Sequence, residues 1–100
     1  MIQRFVLVKL KDEFSNQASR EALAERTKTA FSELPGVLDL KVGVPADKGA
    51  ESAWDLSLVV GFPSLADIQP YIAHPRHRSY VDEELLPKTE ILKAWNFKVT

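Results

Sequence analysis

The chain has no cysteine, which excludes disulfide staples, thiolate nucleophiles and zinc–thiolate centres. Nor is there an excess of one charge: 13 Lys and Arg stand against 14 Asp and Glu, a formal net charge of -1. A field that weak gathers neither nucleic acid nor an anionic membrane surface, so neither is expected as a partner. Apolar runs approaching the ~20 residues of a membrane helix are missing too. The opening Met1 to Leu10 is interrupted by Arg4 and Lys9, which predicts no signal peptide and a cytoplasmic location. One hundred residues predict a single domain, 1–100, able to bury roughly two-thirds of the surface its unfolded chain exposes. Histidine and tyrosine are scarce, two of each. All four fall between Tyr71 and Tyr80.

Alternation predicts four strands. In Ile2 to Leu10, Ile2, Val6, Val8 and Leu10 share one face and Phe5 and Leu7 the other, as suits a central strand covered on both sides. Arg4 is in phase with Val6 and Val8, so it points into their layer, either reaching solvent at the strand end or facing a pocket. Val37 to Val44 alternates next, closed by Pro45, which favours a sheet edge. Trp54 to Phe62 is the cleanest strand, with Trp54, Leu56, Leu58, Val60 and Phe62 in phase. Between these two, Ala46 to Ala53 has no apolar period and reads as a mobile polar loop joining an antiparallel pair. The last strand is Ile91 to Val99, with Ile91, Trp95, Phe97 and Val99 in phase.

Ser15 and Asn16 suit the cap of a long helix in which Ala18, Ala22, Leu23, Ala30, Phe31 and Leu34 recur at three- and four-residue spacing. Pro35-Gly36 ends it. Ser64 and Asp67 start a second helix, which Pro70 interrupts near Gln69. His74-Pro75 opens a further helix, Arg76 to Leu86, stopped by Pro87. The order strand, helix, strand, strand, interrupted helix, strand predicts an α+β, ferredoxin-like fold, an antiparallel four-stranded sheet with helices on one face. The helix-free face then carries Phe5, Leu7, Val37 and Val59 among Asp39, Lys41, Asp55 and Ser57. That mixed composition predicts a homodimer packed sheet to sheet.

The stretch Tyr71-Ile72-Ala73-His74-Pro75-Arg76-His77-Arg78-Ser79-Tyr80 gathers the side chains best suited to proton transfer. With Pro75 first in its helix, His74 is the cap and His77 falls in the first turn, where the helix dipole disfavours imidazolium. Tyr71 precedes the break and can meet His77 across it. A phenol beside a neutral imidazole can polarise a carbonyl and move a proton, the minimum for enolisation chemistry. Plainer readings stand beside this one: His74 as a backbone cap only, His77 as a brace, Arg76 and Arg78 on a solvated face, Trp54 and Trp95 in the core. His-x-x-His can also ligate a metal, but Pro75 lies between the pair and no third carboxylate is close in sequence. No metal is expected.

The whole chain resembles the stress-responsive A/B barrel domain (Dabb) family of dimeric α+β barrels. The resemblance rests on Val6-Leu7-Val8-Lys9-Leu10-Lys11, Leu34-Pro35-Gly36-Val37, Trp54-Asp55-Leu56-Ser57-Leu58 and, most specifically, the Tyr-x-x-His-Pro-x-His of Tyr71 to His77. It implies ferredoxin-like subunits that pair into a dimeric α/β barrel, with a small-molecule pocket between sheet and helices and no cofactor. In a plant polyketide cyclase of the family, the matching tyrosine and second histidine do acid-base work, which implies catalytic roles for Tyr71 and His77. The lining of that enzyme's pocket implies substrate contacts from Val8, Leu23, Leu58, Tyr80 and Leu92; Arg4, Leu56 and His74 join them as binding candidates. Arg4 and Leu56 stand where the cyclase carries pocket histidines, and Arg4 can instead hold a carboxylate with its two-pronged donor set. Two expectations follow. One is a cofactor-independent cyclase, lyase or isomerase type of acid-base catalyst acting on a carbonyl-containing or aromatic compound; the other is a non-catalytic, stress-associated binding or structural dimer.

Overall fold

Ile2, Val6, Val8 and Leu10 are all buried, so the alternation of the opening stretch becomes strand β1 (Ile2–Leu10) with its apolar phase turned toward the helices. The computed structural model describes residues 1 to 100 throughout. Strands β2 (Asp39–Gly43), β3 (Leu56–Phe62) and β4 (Thr89–Lys98) complete one antiparallel sheet in the order β2-β3-β1-β4. That is the ferredoxin-like order expected from the succession of elements. β3 contributes Leu56, Leu58, Val60 and Phe62 to the same layer, all at 2% exposure or less.

Helix α1 (Gln17–Phe31) begins at Asn16, whose side chain accepts from the Ser19 amide at 2.9 Å. The face it buries is Leu23, Ala24, Thr27, Ala30 and Phe31; Ala18 and Ala22, expected on that face, are exposed. Small alanines near a helix start carry too little apolar area to set its rotation. Gly36 then takes φ +83°, the left-handed turn that only glycine adopts without strain. Residues 46–53, expected as a mobile loop, instead contain a short helix α2 (Lys48–Ala53), started by Asp47 accepting from the Ala50 amide at 2.9 Å. Its stability comes from a cap, so apolar spacing gives no sign of it.

The interrupted helix is more finely divided than its prolines predict. A 3₁₀ turn at Leu65–Asp67 leads into α3 (Ile68–Ala73), so Pro70 sits in a first turn, where no amide donor is needed, and the helix runs through Gln69 without the expected interruption. His74 is extended and caps α4 (Pro75–Tyr80), its Nδ1 accepting from the Arg76 amide at 3.1 Å. The chain then widens into a π turn (Val81–Leu85) and tightens into a 3₁₀ turn (Leu86–Lys88) ahead of β4. No helix is long and apolar enough to cross a membrane.

Three expectations about the sheet need correction. Asp55 does not lie on it: the residue precedes β3 and is fully buried, accepting from the Leu10 amide at 2.7 Å, the Ser15 hydroxyl at 2.7 Å and Arg20 Nε at 2.8 Å. Trp95 is not core but 47% exposed, paired with Phe5 across the β1–β4 ladder. Val37 stands outside β2 and packs against the core.

Candidate functional site

Arg4 and Val6 of β1, Leu58 of β3 and Leu92 and Ala94 of β4 lie on the helix side of the sheet, in register with one another through the pairs Val6↔Leu58, Val6↔Ala94 and Val8↔Leu92. Above them stand Phe31, Tyr71, Ile72 and His77, then Val81, Leu85 and Leu86 from the π turn and its exit. Together these residues enclose a cavity of about 280 Å³. Ten of the twelve walls are Phe, Tyr or aliphatic, and the polar groups are the Arg4 guanidinium, the Tyr71 phenol and the His77 imidazole. Leu86 at 45% and Leu92 at 36% exposure mark the side on which it meets solvent.

The break between α3 and α4 brings Tyr71 and His77 together, their ring centroids 4.6 Å apart at a tilt of 58°. Phe31 stacks on the imidazole at 5.2 Å and 17°, while Phe31 and Phe62 meet Tyr71 edge-on at 5.9 and 5.0 Å. This aromatic packing orients both rings through their faces and edges. His77 Nδ1 is buried with no hydrogen-bond partner, and no hydrogen bond within the chain engages the Tyr71 hydroxyl.

Burial pushes the Tyr71 phenol above its ordinary range, with the positive charge of Arg4 opposing. It is therefore a donor at any physiological pH. Burial also holds His77 below its usual value; the Ile72 carbonyl opposes this, and the charge of Arg4 adds to it. The imidazole is neutral near pH 7 chiefly because it is desolvated. A protonated phenol, a neutral imidazole and one guanidinium thus share an otherwise apolar space.

Of the residues singled out from the sequence, Arg4, Leu58, Tyr71, His77 and Leu92 line this cavity. Val8, Leu23, Leu56, His74 and Tyr80 do not. Val8 and Leu56 face each other beyond the cavity along β1 and are packed at 0% and 2% exposure. Leu23 is buried in the face of α1, and His74 is occupied in capping α4. Tyr80 turns toward α1, where its hydroxyl meets that of Thr27, which also reaches the Leu23 carbonyl at 2.7 Å. Val6, Phe31, Ile72, Val81, Leu85, Leu86 and Ala94 were not anticipated. Period two from Arg4 and Leu92 points to Val6 and Ala94, and helical spacing from His77 points to Val81 and Leu85; nothing local marks Phe31. No three His, Asp or Glu side chains are gathered as a metal site would need.

The model of the Stress Responsive A/B Barrel Domain (Dabb) matches residues 2–99. Among solved structures, a dabb family protein with a ferredoxin-like fold from Mesorhizobium loti superposes with a TM-score of 0.82 at 18% identity, covering 99% of this chain and 96% of its own. A dimeric protein of unknown function and ferredoxin-like fold from Bacteroides fragilis gives 0.79 at 22% identity, over 98% and 95% of the two chains. The hydroxynitrile lyase of Passiflora edulis gives 0.75 at 17%, over 99% and 93%. At these identities the shared property is the fold. No curated protein matches the chain in sequence.

Proposed function

The chain belongs to the stress-responsive A/B barrel domain family, and we propose that within it this protein is a homodimer that takes a small carbonyl-containing or aromatic molecule into the cavity beneath α3 and α4 and performs cofactor-independent acid-base chemistry on it. The observation that carries the proposal is the pairing of Tyr71 and His77 in an apolar cavity, with His77 Nδ1 buried and without a hydrogen-bond partner. Buried polar groups are ordinarily satisfied, and leaving them unpaired costs stability. A bound oxygen function would satisfy them.

In this reading the Tyr71 hydroxyl donates to the carbonyl oxygen of the substrate, and His77 removes a proton from the adjacent carbon. The product is an enol or enolate that the phenol stabilises as charge develops on oxygen. The volume of about 280 Å³ equals the liquid share of about nine waters, so the ligand has on the order of ten non-hydrogen atoms. A lyase on the same fold in Passiflora edulis is compatible with chemistry of this class. If Tyr71→Phe and His77→Ala both leave a discovered turnover unchanged, the acid-base assignment is wrong.

A second reading has its own support. His77 Nδ1 makes no hydrogen bond of normal geometry in the chain, with only the Ile72 carbonyl acting on the ring, whereas bases in proton-transfer sites are held in one tautomer by a second group. In that case the cavity binds and does not turn over. The two readings part on the pH dependence of a bound ligand's α-proton exchange in deuterium oxide, which only the enzyme accelerates.

The homodimer rests on the helix-free sheet face. Phe5 and Phe97 meet edge-on there at 5.5 Å, and Ile91, Trp95, Phe97 and Val99 are each 40 to 55% exposed in the single chain. Dimeric relatives of this fold support pairing. Trp95→Glu places a charge in the centre of that face and is expected to yield monomers by light scattering. A Trp95→Glu dimer as tight as wild type would move the interface elsewhere.

A further inference from the structure

The chain has five arginines. Four of them contact carboxylates: Arg20 meets Asp55 at 2.8 Å, Arg26 meets Glu84 at 2.6 Å, Arg76 meets Glu33 at 2.9 Å and Arg78 approaches Asp82 at 3.9 Å. Arg4 alone has none. Its recorded contact is a donation from Nη1 to Asn96 Oδ1 at 3.0 Å, across the β1–β4 pair in which the two residues are partners. A guanidinium has five N–H donors, so one neutral amide leaves most of the fork unused. The phase of β1 turns this side chain into the layer that holds the cavity, and its charge reaches both Tyr71 and His77.

We propose that Arg4 is an anion subsite that selects ligands carrying a carboxylate, oriented by Asn96 and placed so that the oxygen function at the other end of the ligand meets Tyr71 and His77. This rests on the cavity being a ligand site, as proposed above, and names the class of molecule it takes: a small aromatic or short-chain acid of single negative charge. The planar fork matches two carboxylate oxygens with parallel hydrogen bonds. A phosphate dianion fits less well, because Arg4 is the only charged residue in the lining and a second negative charge would enter an apolar space uncompensated. The net charge of -1 supplies no wider positive field, so selection depends on this one contact.

The test is a titration of the intact protein, followed by amide chemical shifts, with benzoate, phenylacetate and 3-phenylpropanoate and with the matching primary amides, which keep shape and lose charge. At least one acid is expected to bind about tenfold or more tightly than its amide, shifting resonances around Tyr71 and His77. Arg4→Met is expected to erase the difference, and Arg4→Lys, which keeps the charge without the fork, to retain part of it. Acids and amides that bind the wild type equally well would overturn the subsite while leaving the cavity as a ligand site. If no probe binds, the cavity reading fails and the subsite with it. An unfolded Arg4→Met would leave the wild-type comparison of acids with amides to decide.

Discussion

The two ends of β1 treat buried polar groups in opposite ways. At its C-terminal end Asp55 is fully enclosed, and its two oxygens receive donors from Leu10, Ser15 and Arg20, tying β1, the start of α1 and the approach to β3 into one knot. At its N-terminal end Arg4, Tyr71 and His77 border a cavity with most of their capacity unused. The same contrast separates the two tyrosines, both 2% exposed. Tyr80 is engaged by Thr27, whereas Tyr71 is held only by its ring. Satisfied groups describe what the fold needs, and unsatisfied groups beside a cavity describe what the fold holds ready.

The largest effect that would test this contrast is expected at the closed end. Asp55→Ala orphans the Leu10 amide and leaves the Arg20 guanidinium, only 11% exposed, without its close partner. A loss of about 3 kcal/mol is expected from urea unfolding at fixed protein concentration, the lower part of the range for a broken buried pair because Arg20 keeps some access to water and to Glu51 at 3.9 Å. A loss below that of an ordinary surface change would deny the knot its structural role. Desolvation raises the Asp55 pKa, but the Leu10, Ser15 and Arg20 contacts together outweigh it and the net shift is downward. Its folded pKa thus lies below the unfolded value of about 3.9, so its contribution is present above that pH and is lost as pH falls through the folded pKa. Asp55→Asn removes that acid-side slope.

The tyrosines give the next contrast. Tyr80→Phe is expected to cost about 1 kcal/mol, the net worth of one hydrogen bond, because Thr27 still reaches the Leu23 carbonyl and no donor is stranded. A cost near zero would put Tyr80 in the same class as Tyr71.

How much of this was legible follows from where each constraint is local. The alternation in β1 and β3 is a property of adjacent residues and located the sheet; Pro35-Gly36 marked the turn that follows α1, while the helix itself ends earlier, at Phe31. Asp55 was misplaced because alternation was carried one residue past the strand, into an approach governed by the C-terminal cap of α2. Within the site, the Tyr71 and His77 contact follows from the short turn that His74-Pro75 imposes. Tyr80 was placed in the pocket by resemblance to a relative's lining, which cannot say which neighbour takes its hydroxyl in this chain; Thr27, 53 positions away, does. A cavity is a failure of side chains to fill space, which depends on Phe31, Leu85 and Leu86 arriving together. No local pattern contains that.

At the open end the effects on stability are smaller and their signs differ. His77 has a folded pKa below its ordinary value of about 6.5, chiefly from burial, with Ile72 and Asp82 opposing and Arg4 and Arg78 adding to the shift. The neutral form is favoured by the fold, so the stability it contributes is present above pH 6.5 and is lost as pH falls through the folded value. His77→Gln is expected to flatten that part of the unfolding profile. Tyr71→Phe should change stability least, within about 0.5 kcal/mol in either direction, since the ring contacts with Phe31, Phe62 and His77 remain and no hydrogen bond within the chain is lost. The same change should abolish the preference for ligands with an oxygen at that end of the cavity. A Tyr71→Phe protein destabilised as much as Tyr80→Phe would mean that the phenol is engaged in the fold after all, and the distinction between the two ends of β1 would no longer identify a site.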